Sequence, residues 1–243
     1  MFGILLIYSF LSLSVIFYSQ FKQRIVFLQK MGVEFVYFDI HGLGVMPRMV
    51  LAAGGVDFTD TRVTFPQWAE MKKTMPLGQV PILKTDGLTV NQSNAIINWT
   101  VRNGDLPKLS CEENSKSDMV AETCREVFDG VRMPAFAAMR AIDEDKKEER
   151  GAEFRKVAKA KLVEQLPKIE TILKHVGAGE NSINAGKICL GDLYLLNIGL
   201  LAYDLGVCDS VPAPAMAINK ALKNNDRIAA FFVKEKDTKF FPF

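Results

Sequence analysis

The feature that most restricts how this chain folds is a proline inside an apolar run. It is Val80-Pro81, in the stretch MPLGQVPILKTDGLTVNQSNAII over residues 75–97. Proline has no N–H to give to a sheet ladder, so Pro81 does not suit an ordinary central strand. It belongs where the chain bends onto one. An X-Pro bond at such a bend is a candidate cis peptide, which would turn the backbone of Val80 outward to pair with an extended, peptide-like ligand. The runs 80–84 and 88–90 flank the turn dipeptide Asp86-Gly87 and predict a hairpin. Gln92-Ser93 then opens a helix predicted over 93–102. A Ser93 hydroxyl at that N-terminus is a cap, and the N–H groups there hold an anion. The combination suits a small anionic peptide.

The rest of the first half completes the pattern. Residues 33–40 are rich in β-branched and aromatic side chains and read as a strand. Residues 47–53 read as a helix ending at Gly54-Gly55, residues 58–63 as a second strand, and 68–73 as a short helical or loop segment. The order βαβ, short helix, ββα is the thioredoxin-like arrangement. Leu106-Pro107 begins a linker. Beyond it the pattern is helical. Val120, Cys124, Val127, Phe128 and Val131 share one face at spacings of three and four. Pro134 is expected to bend or interrupt that helix. Phe154, Ala158, Leu162, Leu166, Ile169 and Leu173 form a second stripe. Residues 193–203 are apolar nearly all round, which predicts a buried central helix with Asp192 at its start.

Composition narrows the function. A length of 243 residues allows one large domain or two small ones, and 49% hydrophobic with 24% charged residues describes a globular protein. A formal charge of +2 gives no case for nucleic acid. The mixed-sign cluster 143–150 reads as a solvated helix end. Cys111, Cys124, Cys189 and Cys208 form no CxxC pair, and only two histidines are present. That argues against a zinc site and against a disulfide framework. Residues 1–19 carry no charged side chain, and three readings of them stay open. They suit a marginal membrane span followed by Lys22, Arg24 and Lys30, or a signal peptide cleaved near Ser12-Leu13-Ser14. Alternatively, translation starts at Met31.

The block at 75–97, together with VYFDIHGLG at 36–44, resembles cytosolic-type glutathione transferases. The resemblance is to the sigma-like group that includes prostaglandin D synthases and many nematode enzymes. The ending DTKFFPF is similar to the Pro-Phe tail of nematode members. The resemblance spans residue 33 to the C-terminus. It implies a thioredoxin-like α/β domain over 33–107, an all-α helical domain over 108–243, and an N-terminal extension over 1–32. It further implies glutathione as co-substrate, conjugation to small hydrophobic electrophiles in detoxification, and a glutathione-dependent prostaglandin isomerase activity. It carries a homodimer and a cytoplasmic setting. Secretion or membrane anchoring is open only through residues 1–19.

The site residues follow by matching positions. Tyr37 matches the catalytic tyrosine, whose hydroxyl donates to the glutathione sulfur; a hydrogen bond to the thiolate favours the reactive form. By pattern alone, Tyr37 reads as a core aromatic in a strand; the block at 75–93 downstream is what favours the catalytic reading. Trp68 and Lys72 stand at the spacing that holds the glycine carboxylate. Gln79 and Val80, ahead of Pro81, pair with the glutathione backbone, and Gln92 and Ser93 hold the γ-glutamyl carboxylate. Glu126 falls where the family has an acidic residue reaching across the dimer; its plain reading is a solvated helix charge. Phe128, Arg132, Phe136, Met139 and the tail are expected to line the electrophile site. No metal is implied.

Departures bear on catalysis. His41 stands where the family has Arg, and Val45 where it has Glu. Met46-Pro47 disturbs the usual start of the first helix, although Arg48 is kept. Leu43 stands where some relatives carry an Arg beside the thiolate. Cys189 replaces the Ser or Thr three residues before Asp192, a poorer cap. The second function class is therefore a non-catalytic relative that keeps the fold and a hydrophobic groove. A thioredoxin-like redox enzyme is disfavoured, because no cysteine lies near the first helix.

Overall fold

The computed structural model describes residues 32–242. The apolar run 1–19 and Met31 lie outside the described residues. Among them, four strands form one sheet in the order β2-β1-β3-β4. β1 (Glu34–Phe38) pairs parallel with β2 (Thr59–Val63) and antiparallel with β3 (Ile82–Thr85), which pairs antiparallel with β4 (Leu88–Asn91). The parallel pair needs a crossover, and helix α1 (Val45–Ala53) supplies it. Helix α2 (Phe65–Met71) follows β2, and α3 (Ser93–Asn103) follows β4.

Alternation along β1 divides its side chains between two faces. Phe35 and Tyr37 pack with Leu51, Leu83 and Ile96 on the α1/α3 side, while Val36 packs with Val63 and Ile82 on the other. Helix α1 is buried at eight of its nine residues because a second layer covers its outer side. Val45, Met46, Met49 and Val50 join the core of the helical half. An all-round apolar helix is stable only between two such layers.

That half consists of α4 (Cys111–Arg140), α5 (Lys147–Gln165), α6 (Pro167–His175), α7 (Leu190–Leu205), α8 (Ala213–Leu222) and α9 (Asp226–Glu235). All five residues of the first predicted stripe and all six of the second are buried. The second stripe crosses from α5 to α6, where Pro167 occupies the first position of the new helix. Helix α7 lies against α4, α5, α8 and α1.

Three expectations change. Helix α4 runs through Pro134 without interruption, held by long contacts with α5 and α7. Its packed face compensates the hydrogen bond that proline removes. The first helix starts at Val45, two residues earlier than expected. Pro47 therefore sits in its first turn, where no intrahelical acceptor awaits its missing N–H. The far end of α7 is not buried: Tyr203 is 78% exposed, as the helix emerges toward its left-handed cap at Gly206.

Candidate active site

The site grows out of the end of β1. Tyr37 is 6% exposed, with its ring in the sheet's core cluster. Burial pushes its phenol pKa up, against the opposing effects of the Leu43 amide and the charges of Arg48 and Arg132. The hydroxyl therefore stays protonated through neutral pH and is a donor, not a base. Its oxygen accepts a hydrogen bond from the Leu43 N–H at 3.0 Å. The loop that delivers this amide needs its two glycines. A Cβ at Gly44 would lie 2.3 Å from the Tyr37 ring, and Gly42 holds φ +40 with a Cβ position 2.9 Å from the hydroxyl oxygen.

Leu43 also reaches the second anchor. Its carbonyl accepts from Ser93 Oγ at 3.4 Å, so a single loop residue bridges Tyr37 and Ser93. Ser93 is the first residue of α3, and no side chain caps that helix within the described residues. Gln92, its N-cap, holds φ 71 and ψ 127 with its side chain exposed. A non-glycine residue there is strained, and such strain collects where a site needs a particular backbone direction.

The hairpin register brings the remaining backbone together. Ile82 faces Asn91, so continuing the ladder by one residue puts Gln92 beside Pro81. Asn91 Nδ2 donates to the Pro76 carbonyl at 3.2 Å, which ties the end of β4 to the loop before Gln79. The Val80-Pro81 bond is cis; Pro81 is buried, Val80 half-buried and Gln79 exposed. Trp68 lies edge-on to Phe38 at 5.7 Å. Lys72 is exposed, and a Cβ at Gly78, next to Gln79, would lie 3.5 Å from its stem. Glu126 stands apart. It is exposed on α4 and paired with Lys168 of α6 at 2.5 Å.

The departures have structural partners. Arg48, 1% exposed, donates to Asp60 Oδ1 at 2.9 Å and to the carbonyls of Ile40 and Phe38 at 2.9 and 3.1 Å. Its guanidinium also lies 5.2 Å from the Phe35 ring centre. One buried cation thereby fixes α1 to the end of β1 and to β2 without the missing charges at 41 and 45. Val45 is simply core, 1% exposed. His41 is 6% exposed, 3.8 Å from Glu235 Oε2. Burial, then the charges of Arg48 and Arg62, lower its pKa to about 4. It is neutral and structural. The Asp192 carboxylate accepts from the Ile183 and Cys189 amides at 2.9 and 3.0 Å and from Cys189 Sγ at 3.2 Å, so the N-terminus of α7 is held despite the thiol.

Sequence reasoning passed over the Leu43 amide, reading position 43 only as a missing arginine. The Gly-Leu-Gly triplet after a strand was the available signal. Around the expected electrophile wall, Arg132 lies 5.9 Å from the Phe128 ring centre, and Phe136 packs on Phe154 at 4.9 Å. A cavity of about 570 Å³ lies elsewhere, between α7, α8, α9 and the tail, and Tyr37 does not line it.

A thioredoxin-like sheet unit followed by a helical bundle, with a buried tyrosine at the end of the first strand next to a helix N-terminus, is the architecture of the glutathione transferase fold. The family described as "Glutathione S-transferase, N-terminal domain" matches residues 33–102. "Glutathione S-transferase 1" of Ascaris suum is 30% identical over 145 residues, 60% of this chain and 68% of the relative. "Hematopoietic prostaglandin D synthase" of Gallus gallus is 26% identical over 84% of this chain and 97% of the relative. Among solved structures, "Fasciola hepatica sigma class GST" superposes with a TM-score of 0.66 at 22% identity, covering 87% of this chain and all of the other. The chain belongs to the glutathione S-transferase family. Over the first curated relatives it matches, it spans about half of their length.

Proposed function

We propose that the chain is a glutathione transferase that joins the glutathione sulfur to small hydrophobic electrophiles. The observation that carries the reading is the double role of Leu43, whose N–H meets the Tyr37 hydroxyl while its carbonyl meets Ser93 Oγ. The sulfur-activating donor and the anion-holding helix end thus share one loop residue. In the proposed reaction the Tyr37 O–H donates to the glutathione thiolate, and the thiol proton has gone to solvent. The sulfur lone pair attacks the electrophilic carbon, a C–S bond forms, and the leaving group departs with its bonding pair.

Lys72 and Trp68 take the glycine carboxylate. The Gln79 and Val80 backbone, bent by Pro81, pairs with the cysteinyl unit, and Gln92 and Ser93 hold the γ-glutamyl carboxylate at the α3 N-terminus. In the proposed homodimer, Glu126 reaches the partner's γ-glutamyl amine. A glutathione-dependent prostaglandin isomerisation uses the same thiolate, and the similarity to the Gallus gallus prostaglandin D synthase supports it. The family supports a cytoplasmic setting. Among the described residues, no helix is long and apolar enough to cross a membrane.

The non-catalytic reading rested on His41, Val45 and Cys189. All three are accommodated within the fold, and none removes the Tyr37 donor. Calorimetry with glutathione, followed by a steady-state assay with glutathione and an aromatic halide, tests the proposal. Binding with turnover above the uncatalysed rate is expected. Binding without turnover would restore the non-catalytic reading, and a folded protein that releases no heat would remove the site.

A further inference from the structure

We propose that the C-terminal tail positions the Tyr37 hydroxyl for thiol activation, through the backbone carbonyls of Lys239 and Phe240. The inference rests on the transferase reading above.

The loop between β1 and α1 is held from outside its own half of the molecule. His41 N–H donates to the Lys239 carbonyl at 2.8 Å, and Gly42 N–H donates to the Phe240 carbonyl at 3.0 Å. The next amide along the chain, Leu43 N–H, donates to the Tyr37 oxygen. Three consecutive amides therefore divide between the tail and the catalytic hydroxyl. The peptide planes are stiff, so fixing the amides at 41 and 42 restricts the direction of the amide at 43. Gly42, at φ +40, has no intrinsic preference that would hold this conformation unaided.

The tail is itself firmly seated. Phe240 and Phe241 are 1% and 2% exposed. Phe240 packs against His41 and Phe128, and Phe241 against Phe136 and Phe154. Arg62 on β2 donates to Thr238 Oγ1 at 3.0 Å and pairs with Glu235. The apolar ending is thus a wedge between the catalytic loop and helices α4 and α5.

The chemical consequence follows from the geometry. An N–H bound to a phenol oxygen occupies one lone pair and leaves the O–H free to turn toward a thiolate. It also polarises the O–H and makes it a better donor, since hydrogen bonds in a chain reinforce one another. With leucine at position 43, no side-chain cation does this from the loop. Arg48 and Arg132 are the charged groups whose fields reach Tyr37, and the tail variants substitute neither.

The experiment uses the full chain, a chain ending at Thr238 that lacks both carbonyls, the variant Phe240→Leu, and Leu173→Ala as a control for core loosening. Leu173 is 3% exposed on α6, which packs on α4, α5 and α8. The readouts are the ultraviolet absorbance of bound glutathione thiolate against pH, and kcat and KM for glutathione with an aromatic halide. In the tail variants the apparent pKa of bound thiol should rise by about half to one unit. Their kcat should fall about three- to tenfold near neutral pH, with KM little changed. Leu173→Ala should lower the melting temperature and leave the pH profile in place.

A wild-type profile in folded Phe240→Leu overturns the inference, and so does an equal shift in the control. If the shortened chain does not fold, Phe240→Leu decides alone. Tyr37→Phe, measured alongside, separates the two readings. If it matches the wild type, both fall; if it shifts and the tail variants do not, only the tail inference falls.

Discussion

Tyr37 is placed so that its oxygen is half-satisfied: it accepts one backbone N–H and still owns a proton to give. Tyr37→Phe keeps the ring and its packing, so fold and glutathione affinity should persist. In the proposed reaction the lost donor acts on a charged sulfur. A charge-assisted hydrogen bond is worth about 1.5–3 kcal/mol, so kcat should fall roughly ten- to hundredfold and thiol ionisation should need a higher pH. Steady-state rates across pH check both. His41 supplies a separate prediction on stability. Its pKa is lowered to about 4 in the folded chain, chiefly by burial, whereas the unfolded residue titrates near 6.5. Between those values the unfolded state binds more protons, so stability rises with pH across this window and is lost as pH falls toward 4. The full loss is on the order of 3 kcal/mol. Denaturant melts at pH 7 and pH 4.5 should show the slope, and His41→Gln should flatten it. Both residues were legible as positions in the sequence. Their states were not, because a phenol and an imidazole take their pKa from what buries them.

At the scale of elements, α7 depends on one carboxylate. Asp192 is fully buried and receives three donors, two of them backbone amides on either side of the turn that enters the helix. Asp192→Ala leaves those amides without partners in a dry site. A cost of about 2–4 kcal/mol is expected, read as a lower melting temperature with unchanged spectroscopic helix content. Its helix carries the central core, so the loss should be global rather than local. The hairpin, the strands and the helical stripes were readable because local periodicity reports which face is buried. The continuity of α4 through Pro134 was not, since the penalty of an internal proline is local while its compensation comes from α5 and α7. The earlier start of α1 has the same origin: Val45 and Met46 enter the helix because a second core, built from residues beyond 110, covers them.

At the scale of the molecule, Glu126 tests the assembly. Within the chain it is exposed and paired with Lys168, an arrangement that contributes little to stability at a solvent-facing site. If Glu126 faces a partner's pocket, light scattering at micromolar concentration should report a dimer. Glu126→Ala should then weaken glutathione binding several-fold while melting stays within about 0.5 kcal/mol of wild type. A monomer, or an unchanged affinity, would remove the cross-subunit role. Dimerisation would be isologous, so each interface would carry the contact twice. The sequence by itself determined the thioredoxin-like order of elements, the helical second half, and the positions of Tyr37, Pro81 and Ser93. Those depend on spacing, turn chemistry and apolar period, all local in the chain. Only the tertiary structure decided that Leu43 links Tyr37 to Ser93, that Arg48 locks the first helix, and that Lys239 and Phe240 hold the loop after β1. Those contacts join segments up to about 200 residues apart. Backbone amides and carbonyls make several of them, and every residue type but proline carries both groups, so no side-chain pattern announces them.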